Sequence, residues 1–234
     1  MSLPKPYYED EAVTIYRGDC RDILPQLATG SVDLVLTDPP YNVGKDYGTA
    51  DDNLAPELYR ATMAEIVAEA LRICSRQFWV APRYKLDLWL GLLPAAHLIV
   101  VRRGAAGPYR GGWSDQFEIA LALGRPNRAG SDLWEGIRLK GEGYFFTEET
   151  FGHPGYTPSP LIRKAMSLLS EQGETICDPF CGTGTTLRAA KDLGRKAIGI
   201  EIEERYCEIA ARRMAQGVMP LLEQAAAREQ ERML

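Results

Sequence analysis

Short β-rich runs alternate with amphipathic helical stretches along nearly the whole chain. That alternation limits the fold more than any other feature of the sequence. The runs are AVTIY (12–16), VDLVLT (32–37), QFWVA (77–81), HLIVV (97–101), FEIALAL (117–123), TICD (175–178) and AIGIEI (197–202). The helical stretches are 56–74, 83–93, 158–172, 184–193 and 203–216. Strands separated by helices of this length predict an α/β chain with a mostly parallel sheet and helices on both faces. In the first helical stretch Leu58, Met63, Ile66, Val67, Ala70 and Leu71 are expected to share one apolar stripe, and Pro56 suits a first turn. With 234 residues and 45% hydrophobic content, one domain over 1–234 can bury a sizeable core.

Residues 124–157 break the pattern with glycines, scattered Arg and Lys, and Trp134, Tyr144, Phe145 and Phe146 at no clear period. They are too few to bury a core of their own and read as an insertion on the loop face of the sheet. Between 100 and 140 seven basic side chains face four acidic ones, a local +3 within a chain of net charge −5, which leaves −8 elsewhere. A basic insert in an acidic body suits a phosphate-binding face, although a solvated loop with scattered arginines has the same composition. From Gly217 onward the tail restarts as a helix-prone Ala/Glu/Arg-rich segment.

Membrane and metal chemistry find no support. No apolar run reaches the length of a membrane span, and the opening MSLPKPYYEDEA lacks the order of a signal peptide. The five cysteines are odd in number and mostly far apart, which is cytosolic usage, so a cytoplasmic protein is expected. Cys177 and Cys181 have no second cysteine pair, and the only histidines are His97 and His153, so no metal site is assigned.

Two clusters carry chemistry. ICDPFCGTGTTLRAAKDLGRKAIGIEI (176–202) reads as strand, Gly-rich turn, helix, strand, acid. Such a turn lets backbone approach a ligand, and Glu201 at the end of the next strand is placed for a ribose diol. Leu187 stands where a dinucleotide fingerprint needs its third glycine, and no lysine follows as a phosphate loop requires. An adenosine-bearing cofactor with little phosphate fits better, its amino-acid end against Asp178; S-adenosylmethionine is such a molecule.

The second cluster is TDPPYN (37–42), directly after an apolar strand. An exocyclic amine of a nucleobase is a poor nucleophile because its lone pair is delocalised into the ring. Acceptors on the amine hydrogens localise that pair as attack proceeds, which stabilises the transition state. Asp38 and the Pro39 carbonyl can be those acceptors, with Pro39 and Pro40 fixing the turn. Tyr41 offers a stacking face for an extruded base, and Asn42 a further polar contact.

These residues together resemble the β-class DNA amino-methyltransferases. The matching pieces are RGDCRDIL (17–24), SVDLVLTDPPYN (31–42), HPGYTPSPLI (153–162), DPFCGTGTT (178–186) and IGIEIEERYCEIAARR (198–213), in the family's order. The resemblance implies a seven-stranded, mostly parallel, Rossmann-like methyltransferase sheet. It implies Asp38, Pro39, Pro40 and Tyr41 as the catalytic turn, with methyl transfer from S-adenosylmethionine to the amine of a flipped base in double-stranded DNA. Cofactor contacts would come from Asp19 at the adenine end, Asp38, His153, Asp178, Phe180, Gly182, Gly184, Thr185 and Glu201. Residues 124–152 correspond to the target-recognition region, with Arg103, Arg110, Arg128, Arg138 and Lys140 as expected DNA contacts. An aspartate heading the motif favours adenine N6, with cytosine N4 as the alternative.

Two departures stand out. Thr157 replaces a lysine usual in the segment beginning His153-Pro154, and the recognition insert is short. A homodimer, or another protein, would relieve that shortage; a restriction endonuclease partner is not readable from one chain. A non-catalytic nucleic-acid-binding relative, a nicotinamide-dependent oxidoreductase, and methylation of RNA or protein glutamine are the competing readings.

Overall fold

The computed structural model describes residues 3–49, 51–102, 109–110, 113–114, 117–135 and 159–217. The chain opens with β1 (Tyr8–Glu9), β2 (Val13–Arg17), α1 (Cys20–Ile23) and β3 (Leu34–Thr37). Then come α2 (Pro56–Ile73), β4 (Gln77–Ala81), α3 (Leu86–Leu92) and β5 (His97–Arg102). Two short strands, β6 (Tyr109–Arg110) and β7 (Trp113–Ser114), pair only with each other, and β8 (Phe117–Leu123) and β9 (Leu133–Trp134) return to the main sheet. The last part holds α4 (Ser159–Leu169), β10 (Thr175–Asp178), α5 (Thr185–Asp192), β11 (Lys196–Glu201) and α6 (Glu204–Ala215).

The main sheet runs β1-β2-β11-β10-β3-β4-β8-β5-β9. Seven substantial strands form its body, as expected, and the two-residue strands β1 and β9 extend its edges to nine. From β2 to β4 every pair is parallel, while β8 lies antiparallel to both β4 and β5.

Alternation along the strands divides the core in two. Leu34 and Leu36 of β3 and Phe78 and Val80 of β4 face a cluster built with α4, α5 and α6. Val35, Trp79 and Ala81 face the other side, with α1, α2 and α3. Side chains of period two on strands buried on both faces require helices on both sides. One detail differs from expectation. In α2 the buried positions are Tyr59, Met63, Ile66, Val67, Ala70 and Ile73, whereas Leu58 and Leu71 are 54% and 40% exposed. Positions 59, 63, 66, 70 and 73 keep the three- and four-residue spacing of one helix face; 58 and 71 sit about 100° to either side of it.

Trp134, read from sequence as part of an aperiodic insert, is a core residue. It is 3% exposed and stacks on Phe78 with ring centroids 5.6 Å apart. Residues 133–134 therefore add a sheet edge beside β5. Residues 136–158 and the tail from 218 lie outside the described residues.

The sheet brings β10 next to β3, two strands far apart in sequence, with their following helices on opposite faces. In open α/β sheets a ligand crevice forms beyond the carboxyl ends of strands at such a switch point.

Candidate active site

Four parallel strands end side by side, and each delivers a carboxylate just at or after its last residue: Asp19 after β2, Glu201 in β11, Asp178 in β10 and Asp38 after β3. All four line one cavity of about 490 Å³. The two central strands are tied across it. The Thr37 hydroxyl donates to Asp178 Oδ1 at 2.7 Å, inside the core. At the strand starts Asp33 N–H donates to the Thr175 carbonyl and Thr175 N–H to the Asp33 carboxylate, both at 2.8 Å, which holds the register.

After β10 the chain turns sharply. Gly182 and Gly184 adopt φ of 51° and 82°, and Gly184 caps the start of α5. A Cβ on Gly184 would lie 3.0 Å from Ala210 Cβ, so this glycine lets α5 pack on α6. It does not line the cavity, unlike Phe180, Gly182 and Thr185. Gly182 N–H donates to Glu201 Oε2 at 2.9 Å, Glu203 N–H to Oε1 at 2.8 Å, and Phe180 N–H to Asp178 at 3.1 Å.

Burial dominates the electrostatics here. It pushes Asp178 up to about 6 against the hydrogen bonds from Thr37, Thr186 and Phe180. It likewise pushes Glu201 up to about 7, with the Asp178 charge adding to the rise. Asp19 differs: the Arg21 guanidinium, at 2.6 Å, holds its carboxyl below the usual range, and Asp19 also caps α1 through Arg21 N–H. Cys177 and Cys181 face opposite sides of the sheet, and burial raises both thiols far above their ordinary range.

The turn after β3 is a separate construction. Tyr41 O–H donates to Asp38 Oδ1, and burial followed by the Asp38 charge drives the phenol well above its usual range. Lys45 Nζ lies 6.0 Å from the centroid of the Tyr41 ring. Asn42 does not offer its amide to the cavity as expected. Its side chain donates to Leu54 O at 2.9 Å and accepts from Leu54 N at 2.6 Å, which pins the loop while the residue holds a left-handed φ of 55°. Asp52, overlooked in the sequence, is 5% exposed and accepts backbone N–H bonds from Asn42, Val43 and Lys45 at 2.6, 3.0 and 3.0 Å. The loop then crosses the cavity, where Thr49 N–H donates to Glu203 beyond β11. Tyr59, also overlooked, donates to the Pro40 carbonyl at 2.9 Å.

Of the expected site residues, Asp19, Asp38, Pro39, Pro40, Tyr41, Asp178, Phe180, Gly182, Thr185 and Glu201 line the same cavity. His153, Arg103, Arg138 and Lys140 lie outside the described residues, and Arg110 is described only as part of β6. Arg128 is placed elsewhere. It lies 3.8 Å from Glu171, ahead of β10, where the parallel strands begin and not where the cavity opens. No helix among the described residues is long and apolar enough to cross a membrane.

Comparison with known proteins places the chain beside DNA methyltransferases. A family model described as DNA methylase, N6_N4_Mtase, matches residues 125–212. Type II methyltransferase M.HpaI of Haemophilus parainfluenzae is 26% identical over 231 residues, covering 82% of this chain and 70% of that protein. Among solved structures, PvuII DNA methyltransferase, cytosine-N4-specific, superposes with a TM-score of 0.71 at 16% identity, covering 97% of this chain and 94% of that one. The M1.HpyAVI–SAM complex gives 0.64 at 21% identity, covering 87% and 100%.

Proposed function

We propose that this chain, similar over residues 125–212 to the N6/N4 DNA methylases, transfers a methyl group from S-adenosylmethionine to the exocyclic amine of a DNA base, adenine N6. The observation that carries this reading is the convergence of the Asp38 turn and the Asp178 turn on one cavity, at the ends of the adjacent strands β3 and β10.

The cavity suits that cofactor by charge. Asp19, Asp38, Asp178 and Glu201 line it, an environment that favours a cationic sulfonium and ammonium over the phosphates of a dinucleotide. Asp178 stands for the amino-acid end, Glu201 for the ribose, Phe180 for an apolar contact and Asp19 for the adenine side. When bound, S-adenosylmethionine supplies an electrophilic methyl group on a cationic sulfur. The protein positions the amine: Asp38 and the Pro39 carbonyl accept its hydrogens, and the lone pair is localised for attack. The Tyr41 hydroxyl already on Asp38 gives way to, or shares that oxygen with, the incoming amine. Pro39 and Pro40 keep the acceptors from reorganising. An extruded base finds the Tyr41 ring at the same turn.

Arg103, Arg110, Arg138 and Lys140 are the proposed phosphate contacts, and a homodimer would extend the short recognition insert. Nucleoside analysis of unmethylated DNA after incubation with enzyme and cofactor tests the base. N6-methyladenine is the expected product. N4-methylcytosine would keep the chemistry and overturn the base, and C5-methylcytosine would contradict both.

A further inference from the structure

The turn Asp38-Pro39-Pro40-Tyr41 has a weakness built into its sequence: two successive prolines have no backbone N–H with which to anchor it. Whatever holds it must reach its carbonyls or side chains from elsewhere. Tyr59, in the first turns of α2, does so. Its ring is 3% exposed, it lines the cavity, and its O–H donates to the Pro40 carbonyl at 2.9 Å. Lys85, beyond β4, places Nζ 4.7 Å from the centroid of the Tyr59 ring and donates to the Asn42 carbonyl at 3.5 Å. A helix and a neighbouring strand end thus close on the carbonyls either side of Tyr41.

We infer that Tyr59 is a positioning residue for methyl transfer, its hydroxyl setting the plane of the Pro40–Tyr41 peptide and, through it, the aim of the amine acceptors. The path is continuous: Tyr59 O–H holds the Pro40 carbonyl, that peptide orients Tyr41, and Tyr41 O–H holds Asp38. Without the Tyr59 hydroxyl the Pro40 carbonyl loses this donor and the peptide can rotate. Small errors in acceptor placement are felt in rate more than in binding. The inference rests on the methyltransferase reading proposed above.

The test is single-turnover transfer from labelled S-adenosylmethionine to unmethylated duplex DNA, with cofactor affinity by calorimetry and melting temperature alongside. Wild-type transfer is measured first, and its absence overturns the methyltransferase reading and this inference with it. Given wild-type transfer, Tyr59→Phe keeps the ring and is expected to slow the step about 10- to 100-fold. Cofactor affinity should stay within about 2-fold and melting temperature close to wild type, since only a peptide orientation changes. p-Aminophenylalanine at position 59 restores an N–H donor and should recover most of the rate. A Tyr59→Phe protein with wild-type transfer overturns the inference. So does one that fails to fold or loses rate, cofactor affinity and melting temperature together, if the p-amino side chain restores none of them.

Discussion

Thr37 and Asp178, the last residues of two neighbouring strands and 141 positions apart in sequence, share a buried hydrogen bond of 2.7 Å. That bond joins the two chemical clusters: one residue later the chain from Thr37 becomes the Asp38 turn, and Asp178 opens the Gly-rich turn. It is also one of the few donors holding Asp178 ionised against burial. Thr37→Val preserves shape and removes the donor, at a typical cost of about 1.5–3 kcal/mol for a bond to a charged group. We expect S-adenosylmethionine affinity to fall about 10-fold at pH 7. The loss should shrink at pH 8.5, where the carboxylate is regained, and Thr37→Ser should behave as wild type. Calorimetric titration of the three proteins at both pH values checks this.

Asp178 and Glu201 set the pH response of the empty protein. Their folded values of about 6 and about 7 stand above the ordinary 3.8 and 4.5. Between those limits the folded chain holds more protons than the unfolded one, so the contribution of this pair to stability falls as pH rises across the window. A cationic cofactor reverses the preference by favouring both carboxylates. The rise in melting temperature on adding S-adenosylmethionine should therefore be larger at pH 8 than at pH 5.5, with NAD giving none. A larger shift at the lower pH would contradict the assignment.

Gly199, in the middle of β11, is fixed by packing and not by its dihedral angles. A Cβ there would meet Leu187 Cδ1 at 2.6 Å and Cys181 Sγ at 2.8 Å, between the sheet and α5. Gly199→Ala should destabilise by about 1–3 kcal/mol through overpacking. For a chain of this size that lowers the melting temperature by a few degrees per kcal/mol, readable by calorimetry.

Phosphate contacts can be counted by salt. If Arg103, Arg110, Arg138 and Lys140 each neutralise one phosphate, log affinity for duplex DNA should fall with log salt at a slope of about −3 to −4. Replacing Lys140 by Ala should reduce the slope by about one. Replacing Arg128, placed beside Glu171 at the far end of the strands, should leave it unchanged.

The fold was legible because its signals are periodic. A short continuous apolar run such as that in 77–81 marks a strand buried on both faces, three- and four-residue spacing in 56–74 marks a helix, and the seven strand runs all formed. What escaped were elements too short to have a period: α1 over four residues, and β1, β6, β7 and β9 over two each. Trp134 was legible as an aromatic but not as core, since only the edge pairing with β5 buries it. At the site, Asp38, Asp178 and Glu201 stood out because strand endings place them. Asp52 did not, and Asn42 stood out for the wrong role, because their work is to satisfy backbone N–H and C=O groups ten or twelve residues away, which leaves no spacing rule. Tyr59 was hidden behind a stripe drawn through Leu58.

The most direct test is methyl transfer itself, run with wild type and Asp38→Ala on unmethylated duplex DNA with labelled S-adenosylmethionine, cofactor binding being measured in parallel. Wild type is expected to yield labelled N6-methyladenine. Asp38→Ala is expected to lose at least about 100-fold in transfer, the scale of removing one charge-stabilising group, with the cofactor still bound. Wild type that binds cofactor yet methylates no DNA base, or an Asp38→Ala protein that transfers at the wild-type rate, would contradict the proposed methyl transfer.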